Sequence, residues 1–314
     1  MRVIVVGAGV IGLTCAVRLR EAGYDAHVLA RDLPAETTSA VAAALWYPYR
    51  ALPQDKVTRW SKTSYDVLCR IAQTDPGAGV RMRWGTELRR VNGAEPWWRA
   101  AVPAVEAAHD LPDGYAAGWR LPVPVADTST YLSWLVARLE ALGGTLTRTW
   151  LPALPADGVV VNCTGLGARA LASDDSMRPV RGQVVYVDQV GLTEWLLEQS
   201  DAAALTYVVP REHDIVVGGT AEENGYDPRP DPAVAEQILA RAEALVPQFA
   251  TATVRGHRVG LRPARPEVRL ETVEHRNGSA GAVVHCYGHG GAGVTLSWGC
   301  ADDIVAEVAQ VRAT

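Results

Sequence analysis

The hydrophobic pattern changes its period twice within the first thirty residues. Arg2–Val6 is a short β-branched apolar run, which predicts a strand buried on both faces. Leu13–Ala22 reads as a helix that ends at Gly23, and Ala26–Leu29 predicts a second strand. A glycine-rich turn, Gly7–Gly12, joins the first strand to the helix. The pattern therefore predicts a βαβ unit at the start of an α/β protein.

Helical and strand-like segments alternate through the rest of the chain. The helical pattern occurs in four places: Asp55–Ala72, Tyr131–Leu142, from Asp231 to about Val246, and Val294–Val311. Apolar runs of strand length are Thr145–Trp150, Val159–Asn162, Arg181–Val187, Leu205–Val209, Asp214–Thr220 and Ala282–Tyr287. Residues 80–126 mix short strand-like runs with proline, glycine and tryptophan, which favours an antiparallel layer.

The glycine turn has the spacing of a dinucleotide site. Gly7 permits the tight turn, Gly9 lets a pyrophosphate approach the main chain, and Gly12 lets the helix pack on the strand. The free N–H groups at the helix start would bind the phosphates. The second strand ends in Ala30, Arg31 and Asp32, so the usual ribose-binding acid is displaced. Asp32 is compatible with NAD or FAD, and Arg31 with the 2′-phosphate of NADP.

Two further segments have the chemistry of a nucleotide site. Thr37, Thr38 and Ser39 precede small residues and could bind phosphates, or simply cap a short helix. Thr164 and Gly165 follow a buried strand and resemble a second nucleotide-contacting turn.

Size and charge limit the classes of function. The chain has 314 residues, of which 48 % are hydrophobic, so it can form a substantial core. Its formal net charge is −5 and the charges are dispersed, which favours neither nucleic acid nor an anionic membrane as a partner.

The five cysteines predict small buried hydrophobes in a reducing compartment. They are Cys15, Cys69, Cys163, Cys286 and Cys300. Their odd number and wide spacing favour neither a disulfide framework nor a zinc site, so no metal is expected. With an apolar strand from residue 3 and no long apolar segment, the expected location is the cytoplasm.

The nucleotide-binding elements are interleaved with sheet-rich segments. A simple nicotinamide-dependent dehydrogenase usually keeps its βαβ halves contiguous, so the interleaving favours a flavoprotein. We expect an α/β fold in which a Rossmann-like FAD-binding domain (residues 1–50, 127–180 and 260–314) is interleaved with a sheet-rich α+β domain. We assign residues 51–126 and 181–259 to that second domain, which would bind substrate.

A candidate anion-binding group lies in the segment Gly260–Pro266. Arg262 lies between Gly260 and Pro263. The two prolines of this segment, Pro263 and Pro266, hold the chain extended. An arginine directed inward is costly unless it meets an anion, and a guanidinium can hold a carboxylate with two hydrogen bonds. For Arg265 and Arg269 we favour surface ion pairs with Asp or Glu, whereas for Arg262 an ion pair and an anion site are equally open at this point.

An ordered set of motifs resembles the D-amino-acid oxidase family, FAD enzymes that share their fold with glycine oxidase and sarcosine oxidase. The resemblance covers nearly the whole chain and rests on Gly7–Gly12, Ala30–Pro34, Leu45–Tyr49, Asn162–Gly165, Arg181–Gln183, Tyr207–Pro210, Gly260–Pro266, Tyr287–Gly293, Thr295 and Trp298–Cys300.

The resemblance implies a role for each matching position. Arg262 and the Tyr207 hydroxyl would bind the substrate carboxylate, the Gly291 carbonyl would accept from the amino group, and Tyr49 and Leu45 would line the pocket. The residues that would hold non-covalent FAD are Gly7, Ala8, Gly9, Val10, Ile11, Gly12, Arg31, Asp32, Thr37, Thr38, Ser39, Ala43, Ala44, Leu45, Trp150, Thr164, Gly165, Gly290, Gly291, Ala292, Gly293, Val294 and Thr295.

The implied activity is oxidative deamination of D-amino acids to 2-oxo acids, ammonia and hydrogen peroxide. Hydride would pass from Cα to flavin N5, and O₂ would then reoxidise the flavin. No side chain is needed as acid or base, so His289 is expected to be structural. The partners are a small D-amino acid and O₂, and the family implies a homodimer.

Two departures bear on the substrate. Many members carry a second tyrosine four residues before Tyr207, where this chain has Ala203. The branch that acts on D-aspartate needs extra cations, yet Gly182–Pro210 contains no Lys, Arg or His, which favours neutral D-amino acids. The alternatives are a glycine- or sarcosine-type oxidase, a nicotinamide-dependent dehydrogenase and a non-catalytic flavin-binding protein.

Overall fold

The computed structural model describes residues 1–200, 204–274 and 281–311, which form a mixed sheet flanked by helices. The helices are α1 (Val10–Glu21), α2 (Gln54–Thr74), α3 (Thr128–Ala141), α4 (Ala168–Leu171), α5 (Pro232–Leu245) and α6 (Gly293–Val311). The strands are β1 (Arg2–Val6), β2 (Asp25–Ala30), β3 (Val80–Arg89), β4 (Glu106–Ala107), β5 (Ala117–Ala126), β6 (Thr145–Arg148), β7 (Gly158–Asn162), β8 (Arg178–Asp188), β9 (Trp195–Glu198), β10 (Thr206–Pro210), β11 (Asp214–Gly218), β12 (Glu222–Glu223), β13 (Val254–Glu274) and β14 (Gly281–His289).

These strands form one continuous sheet. Their order is β4-β5-β3-β9-β10-β11-β8-β13-β14-β7-β1-β2-β6, and β12 pairs with β8 outside this path. From β14 to β6 all neighbours are parallel, as expected for strands joined through helices. The other half is antiparallel apart from the β3–β9 pair. The α/β class is thus confirmed.

One long strand belongs to both halves of the sheet. β13 has 21 residues; its first part pairs with β8, from Val254 to Ala264, and its last part pairs with β14, from Ala264 to Glu274. The register with β14 shifts between Ala264 and Arg269. The strand therefore joins the two halves of the sheet, and its middle, at Ala264, lies opposite the carboxyl end of β14.

The predicted βαβ unit is confirmed, with small shifts at its boundaries. α1 begins at Val10 rather than Leu13, because Gly9 is its N-cap and the turn ends earlier than the apolar pattern indicates. Residues 80–126 contain two paired strands of ten residues, not only short runs. Pro122 and Pro124 are tolerated in β5 because β4 covers this strand only at Arg120 and Trp119, so the missing N–H groups break few pairs.

The core lies between the parallel strands and the helices packed on them. α1 is buried over most of its length, including Leu13 and Leu19, and α6 is buried over most of its first half and at Ile304 and Val308 in its second. α3 is fixed at its start by Asp127, whose carboxylate accepts a 3.0 Å hydrogen bond from the Ser129 N–H, as a capping residue should. Among the helices of the described residues, none is long and apolar enough to cross a membrane.

A buried carboxylate braces the junction of β13 and β14. Asp174 accepts hydrogen bonds from the Tyr287 hydroxyl at 2.9 Å and from Arg265 Nε at 3.0 Å. Arg269 donates to the same Tyr287 hydroxyl at 2.6 Å and pairs with Glu271 at 2.7 Å. The expected ion pairs of Arg265 and Arg269 are confirmed, although that with Asp174 is largely buried.

Replacing Asp174 by asparagine is expected to lower the free energy of unfolding at pH 7 by about 2 kcal/mol. Burial alone would raise the pKa of Asp174, but hydrogen bonds from Ser176, Tyr287 and Arg265 lower it from 3.8 to about 2. Because the pKa is lower in the folded state, this stabilisation is present above pH 4 and is lost as the pH falls towards 2. Urea unfolding of both proteins between pH 7 and pH 2.5 should show the difference shrinking.

The matched control is Asp175→Asn, since the neighbouring Asp175 side chain is 92 % exposed and should change stability by less than about 0.5 kcal/mol. A difference for Asp174→Asn that stayed constant across this pH range would contradict the assignment to its carboxylate charge.

Candidate active site

A single cavity of about 800 Å³ runs along the carboxyl edge of the parallel strands. Its wall includes residues just after β1, β2, β6, β7 and β14, because the ends of parallel strands meet at one edge. This volume is near the upper end of the range for small-molecule and cofactor sites. Of the predicted site residues, the wall includes Gly7, Ala8, Gly9, Val10, Ile11, Arg31, Asp32, Thr37, Thr38, Ser39, Ala43, Ala44, Leu45, Tyr49, Trp150, Thr164, Gly165, Tyr207, Arg262, Gly290, Gly291, Gly293 and Val294.

The glycine turn has no room for side chains where the backbone approaches itself. Gly7 has a φ of +115°, and a Cβ there would lie 2.4 Å from the Cys163 carbonyl oxygen. A Cβ on Gly12 would lie 1.9 Å from the Gly7 oxygen. At Gly9 a Cβ would approach only the Ser39 hydroxyl, at 3.2 Å. Gly7 and Gly12 thus keep the turn tight, while Gly9 leaves the helix start open to the cavity.

The hydroxyl residues lie beside this helix start. Ser39 Oγ accepts a 3.0 Å hydrogen bond from the Val10 N–H at the start of α1. Thr38 donates to the Leu261 carbonyl at 3.0 Å, and Thr37 to the Pro34 carbonyl at 2.7 Å. Thr164 donates to the Asn162 side chain at 2.7 Å. Residues 38–41 form a short 3₁₀ turn, and Ala44 has a φ of +56°.

Arg31 and Asp32 form an ion pair at one part of the cavity wall. Arg31 donates from Nε to Oδ1 at 2.9 Å and from Nη2 to Oδ2 at 2.6 Å. The hydrogen bonds from Arg31 lower the pKa of Asp32, so the carboxylate is ionised and available to accept from a hydroxyl. The charge of Arg31 is already balanced, which makes it less suited to a 2′-phosphate.

These features fit a bound dinucleotide. The α1 start leaves its first N–H groups without partners in the helix, an open glycine adjoins it, and an ionised carboxylate stands at the end of the second strand. The helix α6 also begins at the cavity, with Gly293 and Val294 in the wall. Two positive helix ends therefore face one cavity, which favours an anionic ligand.

Arg262 lies where β13 meets the glycine turn after β14. The Gly290 N–H donates to the Pro263 carbonyl at 2.9 Å, which holds that turn beside Arg262. Nη1 of Arg262 donates to the Thr220 carbonyl at 2.8 Å. Within residues 1–200, 204–274 and 281–311, no carboxylate pairs with this guanidinium. A half-buried, unpaired guanidinium in a cavity wall is a ready site for a carboxylate.

Two glycines make the space for the groups around Arg262. A Cβ on Gly182 would lie 2.3 Å from Cζ, Nη1 and Nη2 of Arg262. A Cβ on Gly218 would lie 2.0 Å from the Tyr207 ring. Burial raises the pKa of the Tyr207 phenol, although the nearby Arg262 opposes this effect, so Tyr207 keeps its proton and can donate. A Cβ on Gly291 would lie 3.0 Å from the Tyr49 ring and 3.6 Å from Cδ of Arg262.

Three predicted cofactor residues lie behind the wall. Gly12 packs against Gly7, and Ala292 is fully buried. The Thr295 hydroxyl is 1 % exposed, accepts from the Tyr47 N–H and donates to the Tyr47 carbonyl, both at 3.0 Å. Thr295 thus fixes the segment that carries Tyr47 and Tyr49.

Ala203, which stands where many family members have a second tyrosine, lies outside the described residues.

Several wall residues were missed by the sequence reasoning. Tyr47, Val184, Leu197, Leu205 and Val209 line the cavity and make its region near Tyr207 apolar. Val184, Leu197 and Val209 come from three different strands, and an apolar residue in a strand has no signal that separates a cavity wall from the core. The sequence predicted Gly182 only as part of the Arg181–Gln183 motif, without a role of its own.

Among the described residues of the cavity wall, one arginine has no carboxylate partner. Among the described residues that line the cavity, the arginines are Arg31 and Arg262, and Arg31 is paired with Asp32. The remaining basic side chain, His289, is 4 % exposed and its Nε2 lies 3.9 Å from Cys286 Sγ.

Comparisons with known proteins agree on the family. The family model described as "FAD dependent oxidoreductase" (DAO) matches residues 2–307. The chain is 49 % identical to the D-amino-acid oxidase of Rubrobacter xylanophilus, over 97 % of this chain and 95 % of that protein. It is 45 % identical to the D-amino-acid oxidase of Streptomyces coelicolor, over 96 % and 94 %. The solved structure of glycine oxidase from Geobacillus kaustophilus has the same fold, with a TM-score of 0.83, 18 % identity and coverage of 98 % and 95 %.

Proposed function

Because the chain belongs to the FAD-dependent oxidoreductase family and FAD is its cofactor, we propose that it oxidises neutral D-amino acids to 2-oxo acids, ammonia and hydrogen peroxide. The observation that carries the proposal is the unpaired guanidinium of Arg262 in the wall of a cavity that also contains the glycine turn. The guanidinium of Arg262 can bind one anion, as a substrate with one carboxylate requires.

The proposed roles of the residues follow from their positions. Arg262 holds the substrate carboxylate, and the protonated Tyr207 hydroxyl donates to it. The Gly291 carbonyl, near Tyr49 and Arg262, accepts from the amino group. Two fixed points on one α-carbon determine which substituent faces the cofactor, and this orientation selects one enantiomer. FAD, when bound, supplies the two-electron acceptor that passes electrons to O₂.

The preference for neutral side chains is supported by the apolar wall and by the charge inventory. Leu197, Leu205 and Val209 lie in the wall beside Tyr207. A second carboxylate, as in D-aspartate, would require another unpaired cation, and in the described part of the wall Arg31 is paired. Burying such a carboxylate without a partner would cost several kcal/mol.

Peroxide production by purified, FAD-loaded protein tests the proposal. The panel contains D-alanine, D-valine and D-methionine, their L forms, D-aspartate, glycine and sarcosine. We expect signal with the neutral D forms, little with D-aspartate and none with the L forms. Turnover mainly of glycine or sarcosine would support the alternative oxidase of the same fold, and a yellow protein silent with the whole panel would support a non-catalytic flavin-binding protein.

Replacing Gly182 by alanine is expected to raise KM for D-alanine by on the order of 10²-fold while FAD content stays unchanged. The added Cβ would occupy the place of the Arg262 guanidinium, 2.3 Å from its atoms, and the flexible side chain would have to move. Steady-state kinetics and the flavin absorbance of the purified variant measure the two effects.

The control is Gly260→Ala, whose added Cβ would meet Val41 and Thr38 only at ordinary distances of 3.4–3.5 Å. An unchanged KM in Gly182→Ala would argue against Arg262 as the carboxylate group.

The roles of the two domains, the oligomeric state and the location of the protein are also part of the proposal. We propose that residues 1–50, 127–180 and 260–314 bind FAD, and that residues 51–126 and 181–259 bind substrate and support a homodimer, which light scattering would test. A cytoplasmic location is supported by the five cysteines, which are all free although several are close together. Fractionation of the native organism's cells would test it.

A further inference from the structure

Four of the five cysteines gather beneath the cavity. Cys15 lies on α1, Cys163 directly follows β7, Cys286 lies on β14 and Cys300 on α6. Each is at most 8 % exposed. The Sγ atoms of Cys15, Cys163 and Cys286 lie within 4.8 Å of one another. Cys69, the fifth cysteine, is separate and contacts Met82.

A second group of three ligand atoms shares one of these thiols. The ligand atoms of Cys286, His289 and Cys300 also lie within 4.8 Å of one another, and His289 Nε2 is 3.9 Å from Cys286 Sγ. Cys286 is thus central to a set of four sulfurs and one imidazole nitrogen, with no carboxylate in either group. From these distances and donors we propose that this cluster binds one soft d¹⁰ divalent metal ion, of the chemical class of Zn²⁺ and Cd²⁺.

The distances suit such an ion after a small closure. With metal–sulfur bonds of about 2.3 Å, three thiolates around one ion are about 4.0 Å apart. The three sulfurs now lie within 4.8 Å, so closing by less than about 1 Å, through side-chain rotation, would bring them to bonding distance. Sulfur and imidazole ligands select soft and borderline metals over Mg²⁺ or Ca²⁺.

The backbone around the cluster is held in place, and the cluster can be reached from the cavity. The four cysteines lie on two helices, on one strand and directly after another, so the backbone around them is fixed by the sheet and its packed helices. Cys163, Cys286 and His289 line the cavity, which gives the ion a path to the cluster.

Titration of the full-length protein with Cd²⁺ tests the proposal. It is carried out before and after FAD loading, because bound FAD would fill the cavity that leads to the cluster. The protein is reduced, freed of metal by a chelator and kept without oxygen. We expect ultraviolet thiolate-to-Cd²⁺ absorption that saturates at one equivalent, with release of protons as the thiols ionise, and competition by Zn²⁺. Cys286→Ser should weaken binding at least a hundredfold because it removes a ligand from both groups. Cys69→Ser should leave binding unchanged.

A second variant keeps the test decisive if Cys286→Ser does not hold FAD. The double variant Cys15→Ala and Cys300→Ala removes one ligand from each group with little change in volume, and should weaken Cd²⁺ binding at least tenfold. Absence of saturable Cd²⁺ uptake by the reduced wild-type protein would overturn the proposal, as would uptake unchanged in these variants. A Cys163–Cys286 disulfide in protein isolated without reductant, with no uptake after reduction, would instead assign the cluster to thiol oxidation.

Discussion

Replacing Arg262 by alanine is expected to lower kcat/KM for D-alanine by on the order of 10²–10⁴-fold. Each hydrogen bond to a charged group contributes about 1.5–3 kcal/mol, and a guanidinium can form two with one carboxylate. Two such bonds amount to about 3–6 kcal/mol, at about 1.4 kcal/mol for each factor of ten in rate. Because Arg262 has no carboxylate partner within the described residues, its removal leaves no buried charge behind. Stability and FAD content should therefore stay close to those of the wild type.

Two other substitutions sharpen this test. Arg262→Lys keeps the charge but not the planar fork, so its kcat/KM should fall between those of the wild type and the alanine variant. Arg258→Ala removes an exposed arginine from the same strand, outside the cavity wall, and should leave kinetics unchanged. Peroxide assays at several D-alanine concentrations, with flavin absorbance as the measure of bound FAD, give all the values. Wild-type kinetics in Arg262→Ala would remove the carboxylate role proposed for this residue.

Replacing Gly12 by alanine is expected to abolish tight FAD binding and to lower the free energy of unfolding by about 1–3 kcal/mol. The added Cβ would lie 1.9 Å from the Gly7 oxygen and 2.9 Å from the Gly7 carbonyl carbon. Both are backbone atoms of the tight turn, so no side-chain rotation can relieve the contact. α1 would have to move away from the sheet, and the open helix start beside Gly9 would move with it.

The measurement compares FAD content after gel filtration with urea unfolding of the FAD-free proteins. Gly77→Ala is the matched control, since its Cβ would meet only the Asp75 carboxylate, at 3.3 Å, in a surface turn. We expect this control to retain FAD and to change stability by less than about 0.5 kcal/mol. Normal FAD affinity in Gly12→Ala would show that the close packing of this turn is not needed for the cofactor.

The parts that sequence could predict are those with local physical signals. The βαβ unit has a change of hydrophobic period, glycines at fixed spacing and a helix that ends at glycine, all within thirty residues. Asp127 and Asp231 mark helix starts by their capping chemistry, and both side chains accept from the N–H groups that this chemistry predicts. For Arg262, the cost of burying an unpaired guanidinium left an ion pair and a carboxylate site equally open, and only the family resemblance favoured the carboxylate site.

The parts that sequence missed depend on distant partners. β13 contains exposed arginines and two prolines, so it lacks the alternation of a strand, and its pairing with β8 and β14 decides its structure. The cysteines are more than a hundred residues apart in sequence, from Cys15 to Cys163 and on to Cys286, and only the fold brings their sulfurs together. Thr295 was predicted to hold FAD from its place in the family motif, but its hydroxyl donates to the Tyr47 carbonyl.

The continuity of the sheet through β13 restricts how this molecule can be recombined with its relatives. A crossover placed within β13 would join a strand from one parent to sheet partners from the other, and a shift of one residue would turn Arg262 to the opposite face. Chimaeras are therefore expected to be productive when β8, β13 and β14 come from the same parent. Exchange of the surface segments around α2 or α5 leaves this unit whole and does not touch the cavity wall, so folded chimaeras are more readily obtained there.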